Sequence, residues 1–235
     1  MSTEEPVTNR AEPLLAFWEK SLAAGEIDEA EWYSAVAAKI TPVYLSSDNP
    51  RAQSGFNGDE DHWVQARGLI ADAIDRAGTF LDVGCANGYL MQCLERWTEQ
   101  KGYRIEPYGL DISPELIGVA RQRLPQWADR LHVGNAIDWE PRLRFDFVRT
   151  GLEYVPRHRQ PDLIGRLLEQ LVAPGGRLII GTCNEKKTLR NQEPSTADLL
   201  RSLGWKIAGS SERPHWRDER LVYRVFWIEA PTGPC

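Results

Sequence analysis

Hydrophobic positions along the chain switch repeatedly between two periods, and the switching predicts the architecture. Short apolar runs fit strands at Thr79–Val83, Arg104–Asp111, Arg130–Gly134, Phe145–Arg149 and Arg177–Thr182. Between them, Leu90, Met91, Leu94 and Trp97, then Leu116, Ile117 and Ala120, then Leu163, Leu167, Leu168 and Leu171, recur at helical spacing. Strands alternating with helices predict a doubly wound sheet of mostly parallel strands. Two final runs, Gly204–Ala208 and Val222–Ile228, have no helix between them, so an antiparallel pair closes a seven-stranded sheet.

Ahead of the sheet the pattern is helical. Residues 1–10 are polar and expected to be unstructured. From Pro13, Leu14, Leu15, Phe17, Trp18 and Leu22 form an amphipathic helix that Gly25 ends, and a second runs from Asp28 through Trp32, Tyr33, Val36 and Ile40 to Pro42. This pair is expected to cap the sheet as a lid. Leu45–Asp59 is rich in turn formers, and Arg51, Gln53 and Phe56 are its candidates for facing a ligand. Asp59 or Asp61 then caps a helix through Trp63, Ala66, Leu69, Ile70 and Ile74 to Gly78. The expected division is 1–60 for tail, helical cap and loop, and 61–235 for the sheet domain.

The chemistry concentrates where the first strand ends, at Asp82-Val83-Gly84-Cys85-Ala86-Asn87-Gly88. Glycines let such a strand-to-helix turn approach a ligand, and the first N–H groups of the helix point into the same space. A dinucleotide fingerprint counted from Gly84 requires glycines where the chain has Ala86 and Tyr89, which disfavours a nicotinamide cofactor. Asp82 at the mouth of the loop would repel a pyrophosphate and attract a cation. Asp111, at the end of the second strand, offers two acceptors on one plane, the shape that takes both hydroxyls of a ribose. The turn therefore suits a cationic nucleoside such as S-adenosylmethionine.

Leu81–Gly88 resembles the first motif of the class I S-adenosylmethionine-dependent methyltransferases, with Ala86 where that family usually has glycine. The resemblance covers about residues 61–230 and implies a Rossmann-like fold with S-adenosyl-L-methionine as cofactor and S-adenosyl-L-homocysteine as product. It implies cofactor contacts from Asp82, Gly84, Cys85, Ala86 and Gly88, from Asp111 and Ile112, from Asn135 and Ala136, and from Thr150 and Gly151. Asn135 would meet the adenine amino group, with Asp138 the other candidate, and Arg51 could pair with the methionine carboxylate. Leu152–Pro156 and Pro174-Gly175-Gly176 also resemble recurrent family segments.

Methyl transfer from a sulfonium is an in-line displacement that mainly needs alignment and exclusion of water. A base is required only when the acceptor must lose a proton. Glu153, Tyr154 and His158 are the catalytic candidates, with His62 and His215 reachable if the lid or last loop folds over. The expected activity is O- or N-methylation of a small molecule. An anionic acceptor is suggested by Arg149, Arg157, His158 and Arg159, with Lys186, Lys187 and Arg190. The alternatives are an RNA or protein methyltransferase, or a cofactor-binding partner without activity.

Composition narrows these classes. The net charge of −6 and pI near 5.4 argue against a general nucleic-acid binder. No Asp/Asn-Pro-Pro-aromatic segment of the kind carried by DNA amino-methylating enzymes occurs, so no DNA partner is expected. No apolar run reaches bilayer length and the acidic start differs from a signal peptide, so a cytoplasmic protein without a membrane partner is expected. Cys85, Cys93, Cys183 and Cys235 show no ligand spacing with the four histidines; free thiols and no metal are expected.

Overall fold

The computed structural model describes residues 7–186 and 195–233. Seven strands, β1 (Gly78–Val83), β2 (Ile105–Asp111), β3 (Leu131–Val133), β4 (Phe145–Thr150), β5 (Val172–Lys186), β6 (Gly209–Pro214) and β7 (Leu221–Glu229), lie in the order β3-β2-β1-β4-β5-β7-β6. The first five pair in parallel, and β7 runs antiparallel between β5 and β6. The chain leaves β1 toward β2 and β3, then returns to β1's other side as β4. Strand order reverses there, which opens a crevice beyond the carboxyl ends of β1 and β4.

Alternation along each strand supplies two cores. Leu81, Val148 and Ile180 face one side, packed on Leu163, Ile164 and Leu167 from α6 (Gln160–Arg166) and the widened turn after it. Phe80, Phe147 and Ile179 face the other, against Trp63 of α3 (Glu60–Arg67) and Leu90 and Leu94 of α4 (Tyr89–Gln100). A smaller cluster joins Cys85 and Met91 to Ile117 and Ala120 of α5 (Pro114–Arg123). The last helix is α7 (Thr196–Ser202).

Several boundaries differ from the sequence-based expectation. The first helix, α1 (Val7–Ala23), starts six residues before Pro13, so the described part of the polar tail is helical from Val7. The second, α2 (Glu29–Leu45), carries Pro42 in its last turns instead of ending there; Asp28 and Glu31 form its capping box. Apolar spacing through Ile74 suggested one helix, but Gly68 ends α3 and a tighter turn, Gly68–Ala73, follows. The sixth strand is not Gly204–Ala208: Gly204 adopts φ +82 after α7, and Trp205 N–H bonds back to Leu200. The strand is instead the polar Gly209–Pro214, an edge whose residues alternate between half-buried and exposed.

The family-like Pro174-Gly175-Gly176 lies inside β5 at an irregular register between Phe145 and Phe147. A side chain at Gly176 would lie 2.7 Å from the Asp146 carbonyl oxygen, so only glycine admits this approach.

The helix pair α1–α2 turns at Gly25 and leans on the segment that follows β4. Glu19 accepts from the Arg157 N–H at 3.0 Å and Glu29 meets His158 at 2.9 Å. The pair thus stands at the crevice end of the sheet, where a lid is expected.

Candidate functional site

The turn after β1 is a left-handed hook over β2. Gly84 and Cys85 both donate to the Leu110 carbonyl, and Gly84, Ala86 and Gly88 have φ of +73, +47 and +74. Ala86, where the motif usually has glycine, is the one non-glycine residue with positive φ among the described residues. Its N–H donates to Asp111 Oδ2 at 2.8 Å, and Ser113 N–H donates to Oδ1 at 2.9 Å. Asp111 thus sits at the sheet end as expected, tied to both turns and keeping acceptor capacity on each oxygen. Burial pushes its carboxyl above the ordinary aspartate range, against the pull of those N–H donors.

Beyond Asp111 the floor is apolar and open: Ile112 is 37% and Val133 44% exposed, followed by half-buried Asn135 and buried Ala136. Asn135 Oδ1 accepts from Ile137 N–H at 3.2 Å, and Tyr33 of α2 stands beside it. Burial raises the Tyr33 hydroxyl's pKa, with Asn135 and Arg159 opposing. The sequence reading had no signal for Tyr33 at this edge. Its apolar-face spacing on α2 concealed the contact.

Asp82 departs most from expectation. It is not at the mouth of the loop but wholly buried beneath it, and Arg149 Nη1 donates to its Oδ1 at 3.2 Å. Its other oxygen, Oδ2, has no hydrogen-bond partner. Burial pushes the Asp82 carboxyl up, opposed by the Arg149 guanidinium. Arg149 therefore leaves the expected basic rim and goes into the site. The same Nη1 donates to Tyr154 Oη at 3.0 Å, and the Tyr154 ring covers Gly84, where an added Cβ would lie 2.6 Å from Cε2. Cys85 is buried, and burial with Asp111 and Asp82 nearby pushes its thiol well above the usual range; it stays neutral.

At the end of β4, Thr150 is buried and donates to the Gly151 carbonyl at 3.1 Å. Glu153 is exposed and its carboxylate lies over Gly151. His158 is engaged by Glu29, and Arg159 by Glu29 and Asp162, so acids of α2 and α6 meet these two members of the expected basic rim. Lys187 and Arg190 lie outside the described residues. His62 stacks on Trp216 and His215 on Tyr223. Glu19, Leu22, Ala23, Glu29, Arg157 and His158 line a depression of about 420 Å³.

The 45–59 segment is pinned to the glycine turn by Asn87. That wholly buried amide accepts from Ser54 Oγ at 2.7 Å and donates to the Pro50 carbonyl and Gln53 Oε1, both at 3.0 Å. Of the three residues expected to face a ligand there, Arg51 pairs with Glu60 at 2.7 Å, Gln53 is held by Asn87 and Phe56 is buried against Trp63. Among the described residues no cluster suits a metal and no helix is long and apolar enough to cross a membrane.

A family model described as a methyltransferase domain matches residues 74–222. Solved structures share the fold at low identity. An S-adenosyl-L-homocysteine complex of a SAM-dependent methyltransferase from Thiobacillus denitrificans is 15% identical, with a TM-score of 0.54 over 82% of this chain and 98% of that one. The N-methyltransferase NodS from Bradyrhizobium japonicum WM9 is 18% identical, with a TM-score of 0.52 over 78% and 98%. The cyclase SpnF is 17% identical, with a TM-score of 0.55 over 71% and 80%. No curated protein matches in sequence.

Proposed function

This chain belongs to the class I S-adenosylmethionine-dependent methyltransferases, and from that premise we propose that it methylates a small molecule at oxygen or nitrogen beneath the α1–α2 helices. The cofactor, S-adenosyl-L-methionine, supplies an electrophilic methyl group on a sulfonium. One observation carries the assignment of its site: two buried carboxylates at neighbouring strand ends flank the left-handed turn, and Asp82 Oδ2 lacks a partner. An orphaned buried acceptor suits an ammonium, and Asp111 suits ribose hydroxyls. Exposed Ile112 and Val133 suit an aromatic base, whose amino group Asn135 or Asp138 would take.

Glu153 suits best as proton acceptor. It is exposed over Gly151, whereas Tyr154 is tied to Arg149 and His158 to Glu29. A small acceptor is supported by the helices leaning on the post-β4 segment, which roof the crevice end of the sheet. Acids already meet His158 and Arg159, which weighs against those two residues as an anion site, and the net charge of −6 weighs against RNA.

Two measurements test the reading. S-adenosyl-L-homocysteine should raise the melting temperature while NAD does not, and radiolabelled methyl should pass to a member of a small-molecule panel but not to bulk RNA. A shift with NAD alone overturns the site, and label transfer to RNA or protein alone overturns the acceptor class.

A further inference from the structure

The segment that leaves β4, residues 151–159, reaches from the glycine turn to the helical cap. Its inner end is Tyr154, whose ring lies on Gly84: a Cβ added there would stand 2.6 Å from Cε2 and 2.7 Å from Cζ. Its middle is anchored, because Leu152 and Val155 are buried in the core cluster against which Tyr33 of α2 also packs. Its outer end belongs to the cap. Glu19 of α1 accepts from the Arg157 N–H at 3.0 Å, and Glu29 of α2 meets His158 Nε2 at 2.9 Å. Val155 and Pro156 alone separate Tyr154 from Arg157. Both are extended, with φ of −132 and −53, and proline restricts its own φ and the residue before it, so a shift at Tyr154 is passed on to Arg157.

We propose that residues 151–159 work as a lever: a ligand seated on Gly84 turns the Tyr154 ring away, the shift reaches Arg157, and the hold of Glu19 is released, so that cofactor arrival loosens the α1–α2 cap for the methyl acceptor. This rests on the cofactor site proposed above, and on the approach of the cofactor to Gly84 alone among its contacts. The ring and a ligand cannot both occupy the space over that glycine. Glu19 is the sensitive contact because its partner is the main chain itself. The Arg157 N–H moves with the segment, whereas His158 and Arg159 reach Glu29 through side chains that can turn. Coupling between two sites is reciprocal, so whatever frees the cap also lets Tyr154 leave Gly84 at less cost and strengthens ligand binding.

The experiment is calorimetric titration of S-adenosyl-L-homocysteine into the parent, Glu19→Ala, Tyr154→Ala and the double variant, with hydrogen exchange of residues 7–45 followed with and without the ligand. Glu19→Ala should tighten the ligand by about threefold, the affinity equivalent of one modest hydrogen bond. A contact that only braces the cap predicts unchanged or weaker binding. In the Tyr154→Ala background the same change should leave affinity where it was, and in Tyr154→Phe, which keeps the ring, the gain should persist. Ligand should speed exchange in α1 and α2 of the parent and not of Tyr154→Ala. Glu19 lies outside the three core clusters, so Glu19→Ala decides the matter even where Tyr154→Ala fails to fold. A Glu19→Ala variant that binds no more tightly than the parent, a gain that survives in Tyr154→Ala, or a parent cap whose exchange slows or stays level with ligand overturns the lever while the cofactor site stands. A parent that does not bind S-adenosyl-L-homocysteine overturns both.

Discussion

Replacing Asn87 with alanine tests whether the 45–59 segment is structurally part of the site. The wholly buried Asn87 side chain accepts from Ser54 Oγ and Tyr89 N–H and donates to the Pro50 carbonyl and Gln53 Oε1. Each such bond contributes about 1 kcal/mol net, and partners that water reaches after the change recover part of it. Alanine should therefore cost about 2–4 kcal/mol, which for a chain of this size lowers the melting temperature by about 4–16 °C. Ser54→Ala removes one of the four contacts and should cost only about 1 kcal/mol. Because both residues share one bond, the double variant should cost less than the sum of the singles. Urea titration gives the energies, and hydrogen exchange should show faster exchange at residues 45–59 with β1 unchanged. An Asn87→Ala loss below about 1 kcal/mol, or unaltered exchange in that segment, refutes the rivet.

Ala86→Gly relieves about 1–2 kcal/mol of left-handed strain, offset by about 0.4–1 of unfolded-chain entropy and about 0.8 of methyl burial, so stability should stay within about 1 kcal/mol of the parent. Ala120→Gly, buried in α5, should instead cost about 1.5–2 kcal/mol, and equal losses by thermal denaturation would contradict the strain. Asp82 and Asp111 have raised carboxyl pKa values, so the folded state holds their protons more tightly than the unfolded chain. Their contribution to stability is complete below the ordinary aspartate value and is lost as pH rises through the folded value. S-adenosyl-L-homocysteine affinity should correspondingly fall on acidification while an exposed aspartate is still ionised; a flat calorimetric profile through that window counts against the two carboxylates. Glu29→Gln weakens contacts to His158 and Arg159 at the surface, so the melting temperature should hardly move while amides of α1 and α2 exchange faster; unchanged exchange refutes the contact as a latch.

What could be read from the sequence was local, and what could not was pairwise. Gly84 and Gly88 announced a sharp strand-to-helix turn because glycine lets the backbone bend closely, and Asp111 announced itself by ending a strand in a βαβ unit. The doubly wound, mostly parallel class of sheet followed because alternating periods admit few windings. Arg149 looked like a member of a surface cluster because neighbours in sequence, Arg157 and Arg159, are exposed or half-buried. Its actual partner, Asp82, is 67 residues away and becomes adjacent only through the β1–β4 register. The same holds for Asn87 with Ser54, and for Arg51 with Glu60, where a turn-rich composition concealed a fixed set of hydrogen bonds. The strand Gly209–Pro214 escaped detection for a different reason: at the sheet edge, with charged side chains, it owes its place to β7 and to Arg213 and Ser211 bonds onto residues 64 and 72. The cofactor turn is thus encoded in short-range conformational preference. The charge balance beneath the turn is encoded in strand register, and Asp82, read alone as a bare carboxylate attracting cations, becomes in the fold one half of a buried ion pair with Arg149.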